Sequence, residues 1–462
     1  MLLALTTFAF AGVYLSSLIV PALLCVALAV AYRPFGMSPP EGRSHGSTER
    51  PGARSFPNVW PPSGGRFERT LDFCLVAIVV VMALQLLPLP ARLVERLSPM
   101  ALDLSQRISL ATPPRAMPLS IDVAAGAWAL GVAAGVVVVF LVSRRIFETG
   151  GVRIVVRGIS AVGLALAAIA LAQDATAHGL MYWRWKPIEE GAPPFGPFVD
   201  RNHFATWVIL AIPLCLGYLV AHVSAHQRHD VHGATWHRGV LHVLDARAIW
   251  LAASVCLMLV ALAASLSRSG LVGMAVALVA ASAMRSARPG TSAAARWITV
   301  ALGLALGAAA IRVNPSTIVQ RFTAAAGAAQ DRLAIWRETL PVVKDFWLAG
   351  TGAGTFETAM LAYQRSAAPF RINAAHNHYL QVAAEGGLLL GVPVLAAIVL
   401  FARAGIARLA EDESGMYWVK AGAMSGLAGV AVQSVWETGL TTPANGVLAA
   451  IAAAIVLHRA GK

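Results

Sequence analysis

Apolar runs of about 20 residues, the length that crosses a hydrocarbon core, recur from one end of this chain to the other. They fall near 2–31, 71–88, 123–143, 154–173, 204–222, 248–266, 269–284, 297–312, 379–402, 417–436 and 445–458, which predicts eleven membrane spans. The count becomes twelve if the first run, which contains Pro21, divides in two. That run is too long for a signal-peptide core and has no basic segment before it, so it is expected to stay in place. Only 13% of the 462 residues are charged and 57% are hydrophobic, against roughly a quarter charged in soluble domains. The composition excludes a soluble protein, and the expected fold class is an all-α polytopic membrane protein.

The net charge of +13 would point to nucleic acid on a soluble chain. Here the arginines gather in alternate short loops: six in 32–70, then Arg144 and Arg145, then Arg285, Arg288 and Arg296, then Arg403 and Arg408. Because Lys and Arg accumulate on the cytoplasmic side of short loops, these loops are assigned to that side. The bilayer is then the expected partner, and no nucleic acid is expected. The opposite face receives 89–122, 174–203, the turn at 266–269 and the long segment 313–378. The organisation reads as N-terminal span and linker (1–70), a transmembrane core (71–312), a large loop (313–378) and C-terminal helices (379–462). The Pro/Gly/Ser-rich 38–65 stretch has linker composition.

The large loop is basic where topology does not ask for it. Arg312, Arg321, Arg332, Arg337, Lys344, Arg365 and Arg371 face only Asp331, Glu338, Asp345 and Glu357. Two short helices are expected in it, near 328–346 and 354–366, separated by a turn at Gly350, Gly352 and Gly354. No strand precedes these glycines and no lysine follows in a phosphate-loop position. The four cysteines lie in apolar runs without metal-ligand spacing, and neither a metal nor another cofactor is expected.

Four polar clusters stand at the non-cytoplasmic ends of spans: residues 196–204 with Arg201 and Asn202, residues 265–270 with Arg268, Asp331 and Arg332 through Arg337, and residues 375–381 with His376 and Asn377. A charged group near the bilayer is costly unless it is paired or wet. Arg268 is therefore either a functional cation in a polar cavity or a headgroup anchor. Arg201, Arg268 and Arg332 from separate loops would form a clamp for a diphosphate, because the guanidinium fork pairs bidentately with phosphate. Asn202 and Arg337 are further candidates for substrate contact. His376 precedes an apolar helix whose positive end favours the neutral imidazole, so it is the candidate general base, with Asn377 as the cap. Glu385, the single acid in the following apolar run, must find a partner or a wet cleft; it is expected to orient His376, contact substrate or bond a neighbouring helix.

The order of Gly-Pro-Phe-Val-Asp-Arg-Asn-His-Phe-Ala at 196–205, Ser-Arg-Ser-Gly at 267–270, Arg332 with Trp336, and His-Asn-His-Tyr-Leu-Gln from 376, followed by Glu385 and Gly387, resembles the O-antigen ligase and polymerase superfamily. The chain departs from it at Leu390 and Gly391, where the family often has a small or aromatic residue three positions after the glycine. The resemblance implies a GT-C-like membrane glycosyltransferase of the bacterial inner membrane. It would transfer or polymerise glycans from an undecaprenyl-diphosphate-linked donor to a glycan or lipid A-core acceptor at a periplasmic active site. His376 would correspond to the family's essential histidine, and Arg201, Arg268 and Arg332 to its essential arginines. It also leaves open a transporter of a small anion such as bicarbonate, and a non-catalytic scaffold of a polysaccharide export complex is a third reading.

Overall fold

The computed structural model describes residues 1–9, 12, 24, 27, 64–108, 115–186, 193–229, 245–286, 315–366 and 371–459. The expected span at 297–312, most of that at 2–31 and most of the 32–70 loop lie outside the described residues. Within them the chain is helical: α1 (Leu2–Phe8), α2 (Gly64–Leu86), α3 (Ala91–Leu97), α4 (Pro99–Ile108), α5 (Val123–Glu148), α6 (Val152–Thr176), α7 (Arg201–His229), α8 (Ala246–Ala264), α9 (Arg268–Ser286), α10 (Pro315–Asp345), α11 (Phe356–Tyr363), α12 (His378–Ala410), α13 (Met416–Gln433) and α14 (Pro443–Val456). The described sheet is a two-residue antiparallel pair, with Leu89 opposite Met117 and Pro90 opposite Ala116. Helices dominate because a spanning segment must satisfy its own backbone where water is absent.

Seven of the described helices are long and apolar enough to cross a membrane: α2, α5, α6, α7, α8, α9 and α12. They coincide with seven of the expected spans, and the protein is a multi-pass helical membrane protein. The expected spans at 417–436 and 445–458 are α13 and α14, which pack inside the bundle; α14 has only 14 residues, short of the roughly 20 that a span needs.

Helix α7 is the centre of the bundle, buried along almost its whole length. From Phe204 to Val220 it is apolar on every side except at Thr206 and the ring hydroxyl of Tyr218, the pattern of a helix surrounded by others. Helices α6, α8, α9, α13 and α14 pack around it. Its approach to α13 is backbone to backbone: a Cβ on Gly217 would lie 2.2 Å from the Trp418 carbonyl, and one on Gly422 2.2 Å from that of Pro213. Small residues at such a seam let dispersion act over the whole contact. In α13, buried Lys420 pairs with Asp412 at 2.6 Å. Buried Glu68 ties one end of the bundle, accepting from Arg144 of α5 at 3.2 Å, Arg408 of α12 at 2.8 Å and Arg459 at 3.1 Å.

Loop segments form a cap with its own core, in which Val94, Met117 and Leu119 meet Val342, Phe346, Phe356, Met360 and Ile372. The two loops assigned to one face, 89–122 and 313–378, are thus brought together. The cap is joined to α12 through a break in that helix. Gly387 has φ +54 and ψ −153, a combination essentially confined to glycine. The backbone groups it frees are taken up by the loop before α11. Leu388 and Leu389 donate to the carbonyls of Trp347 and Leu348 at 2.9 and 3.0 Å, and Thr351 and Gly352 donate to those of Ala384 and Glu385 at 3.0 and 2.9 Å.

Candidate active site

The polar turns predicted to converge do so at the starts of α7, α9 and α12 and the end of α13. Asp200, before α7, accepts from the Asn202 N–H at 2.6 Å. Asn202 Oδ1 then accepts from Ser267 Oγ at 2.7 Å, joining α7 to the turn before α9. Gln433 of α13 donates to the Asn202 carbonyl at 3.3 Å and accepts from Thr206 Oγ1 at 3.0 Å. The start of α12 is fixed to the same place by the His378 N–H, which donates to the Ser434 carbonyl at 2.8 Å. Asn377 caps α12 as expected, accepting from Leu380 N at 3.0 Å.

At the meeting point lies Glu437, only 1% exposed, in the turn after α13. Its Oε1 accepts from Arg332 Nη2 and from Ser269 Oγ at 3.3 Å. Its Oε2 lies 3.7 Å from His376 Nδ1, within ion-pair range and longer than a hydrogen bond. Both of these facing atoms are buried, and neither has a hydrogen-bond partner. His376 is delivered by a left-handed backbone, φ +46, and the turn before α9 by another at Leu266, φ +54. Non-glycine residues rarely adopt that region, and they keep it only where the surrounding structure enforces it. Helix α10 is anchored beside this loop by Trp336, whose indole donates to the Ala375 carbonyl at 3.0 Å.

Electrostatically the place favours an anion. Three helices begin here, and their positive ends add to Arg332 and to Arg201 and Arg268, which stand at the first positions of α7 and α9. Arg268 is exposed, whereas Arg201 is partly buried.

Two of the candidate residues stand apart. Glu385 is spent on the cap: its carboxylate accepts from Gly354 N at 2.7 Å, Phe356 N at 3.3 Å and Gln381 Nε2 at 3.1 Å. It thereby caps α11 and braces the break at Gly387. Arg337 is exposed on α10, and no hydrogen bond or ion pair ties it to the cluster among the described residues. Sequence reasoning missed Glu437. The expected span 417–436 ended one residue short of it, although a lone acid at a span end meets the same criterion that singled out Arg268.

The fold is that of an all-α polytopic membrane protein, and the site at one end of it joins a histidine, a buried carboxylate and an arginine. Residues 253–395 match the family model described as O-Antigen ligase, so that stretch of the chain is similar to the O-antigen ligase superfamily. The match covers just under a third of the chain and includes Arg268, Arg332, Arg337, His376, Asn377 and Glu385. Arg201, Asn202 and Glu437 lie outside it. No curated protein matches the chain.

Proposed function

We propose that the protein is an O-antigen ligase- or polymerase-type glycosyltransferase of the inner membrane. In this reading it moves a glycan from undecaprenyl diphosphate to a sugar hydroxyl, on lipid A core or on another lipid-linked glycan, at the periplasmic face. The observation that carries this reading is the junction of His376, Glu437 and Arg332 among three helix N-termini, largely within the stretch similar to the O-antigen ligase superfamily.

Arg201, Arg268 and Arg332 hold the diphosphate and neutralise the charge that grows on it as the bond to the sugar's anomeric carbon breaks. His376 Nε2 takes the proton of the acceptor hydroxyl while that oxygen bonds to the anomeric carbon from the opposite side, inverting it. The products are the extended glycan, polyprenyl diphosphate and an imidazolium. Glu437 accepts from His376 Nδ1–H, selecting the tautomer with a free Nε2 and balancing the imidazolium. The 3.7 Å separation closes by several tenths of an ångström in the substrate complex, as catalytic hydrogen bonds commonly do. Arginines supply the cationic charge in this scheme, so activity should persist in EDTA, and an obligate divalent metal would refute that part.

The test is transfer by purified protein from a lipid-linked donor to a sugar acceptor. His376→Ala should insert and fold normally, because Asn377 still caps α12, and should lose about 10²-fold or more in rate, the scale of a general base. A well-folded, fully active variant would overturn the assignment of the base. Solute uptake into proteoliposomes without glycan product would overturn the glycosyltransferase reading itself.

A further inference from the structure

Helix α10 has a buried face and an exposed ridge of unusual composition. Its inner side, with Thr339, Val342 and the following Phe346, is closed into the cap core. The outer side carries Leu333, Arg337, Leu340, Lys344 and, in the turn just beyond, Trp347, all exposed. Leu333 is 45% exposed, and Leu340 and Trp347 are each 57% exposed. A helix face in water is polar. This one alternates a large apolar group with a cation over 15 residues, roughly 21 Å at helical rise. Among the described residues neither Arg337 nor Lys344 enters a hydrogen bond or ion pair.

The ridge is continuous with a surface that faces lipid. The Trp347 carbonyl accepts from Leu388 N at 2.9 Å, and Leu388, Val392 and Leu395 of the spanning part of α12 are 53%, 61% and 63% exposed. Trp347 therefore stands where α12 leaves the cap and becomes apolar on its outer side, the depth at which tryptophan is enriched.

We propose that this ridge lies on the headgroup layer of the bilayer that α12 crosses. Leu333, Leu340 and Trp347 enter the acyl-chain boundary, while Arg337 and Lys344 pair with lipid phosphates, the arrangement of an interfacial amphipathic helix. This gives two of the surplus cations of the 313–378 loop a role independent of catalysis. It also keeps Arg332, on the same helix, at headgroup level. A second copy is the poorer occupant, because a ridge against its own kind sets cations against cations with no acid among its five residues.

The full-length protein, with its four native cysteines replaced by alanine, is reconstituted in nanodiscs and labelled with bimane at Leu333→Cys or at Leu340→Cys. Both positions are on the surface, so the fold is not at risk. With brominated-chain phosphatidylglycerol, emission at each site should fall at least about twofold relative to unbrominated lipid, and aqueous iodide should quench weakly. Arg337→Gln with Lys344→Gln should reduce the bromine effect in phosphatidylglycerol discs to the level found in phosphatidylcholine. Strong iodide quenching without a bromine effect would overturn the proposal, as would shielding that depends on protein concentration, the sign of a second copy. Quenching indifferent to the two cations would overturn their pairing with phosphate.

Discussion

Replacing Glu437 with glutamine removes one charge from the centre of the site while keeping its shape and its hydrogen-bond acceptor for Ser269 and Arg332. Two unit charges about 4 Å apart interact by about 4 kcal/mol at the effective dielectric of about 20 that describes such sites. The 3.7 Å between His376 Nδ1 and Glu437 Oε2 lies at that distance. If the imidazolium is largely formed in the transition state, most of that interaction is lost there, and the rate should fall by about 10² to 10³. The assay is steady-state transfer from a lipid-linked donor, with kcat and the donor KM determined separately. The loss should lie mainly in kcat, because the pairing with His376 develops as the proton arrives, whereas any loosening of Arg332 adds a smaller rise in donor KM. A folded Glu437→Gln protein with kcat within threefold of the parent would refute the role of Glu437 beside His376. A loss confined to KM would mean that it serves Arg332 alone.

Three further outcomes follow. Arg268→Lys keeps the charge but loses the bidentate fork, so donor KM should rise by about tenfold or more in kinetic assays, with membrane insertion intact. Gly387→Ala adds a Cβ 2.6 Å from the backbone of Leu348 at φ +54, and should destabilise the protein by at least about 2 kcal/mol, measured as thermal unfolding in detergent. Lys420→Met leaves Asp412 buried without its partner, and should cost about 3–5 kcal/mol, read by the same unfolding assay; Asp412→Asn together with Lys420→Met should recover most of it.

The seven apolar spans were legible because the length of a hydrocarbon core imposes itself on sequence whatever the tertiary contacts. So was the cap at Asn377, a local interaction of three residues. The convergence of Asn202, the Arg268 turn, Arg332 and His376 was legible at the level of which end of which span, since alternation of sides follows from counting. What was not legible depended on long-range packing. Glu385 reads as an isolated acid inside a spanning helix, and nothing local reveals that the helix breaks two residues later and that Gly354 and Phe356 fold back to use its carboxylate. Arg337 and Arg332 are five residues apart on one helix, so only one of them is directed at the site. Glu437 stands 61 positions after its histidine in the sequence and is brought beside it by the packing of α13 and the His378–Ser434 hydrogen bond.

The break at Gly387 limits how this protein can move. A cover that opens and closes over a site needs a hinge, and its main chain must be free of the frame. Here the strand of loop from Trp347 to Gly352 supplies backbone partners that a membrane-crossing helix lacks at its bend, so lifting the cap would strip hydrogen bonds from α12 at the edge of the bilayer. Cap and helix therefore travel as one rigid piece, and the site stays at a fixed height above the lipid. On the glycosyltransferase reading proposed above, exchange of substrate and product then falls to the mobility of the lipid-borne glycan itself, sliding sideways past a stationary entrance.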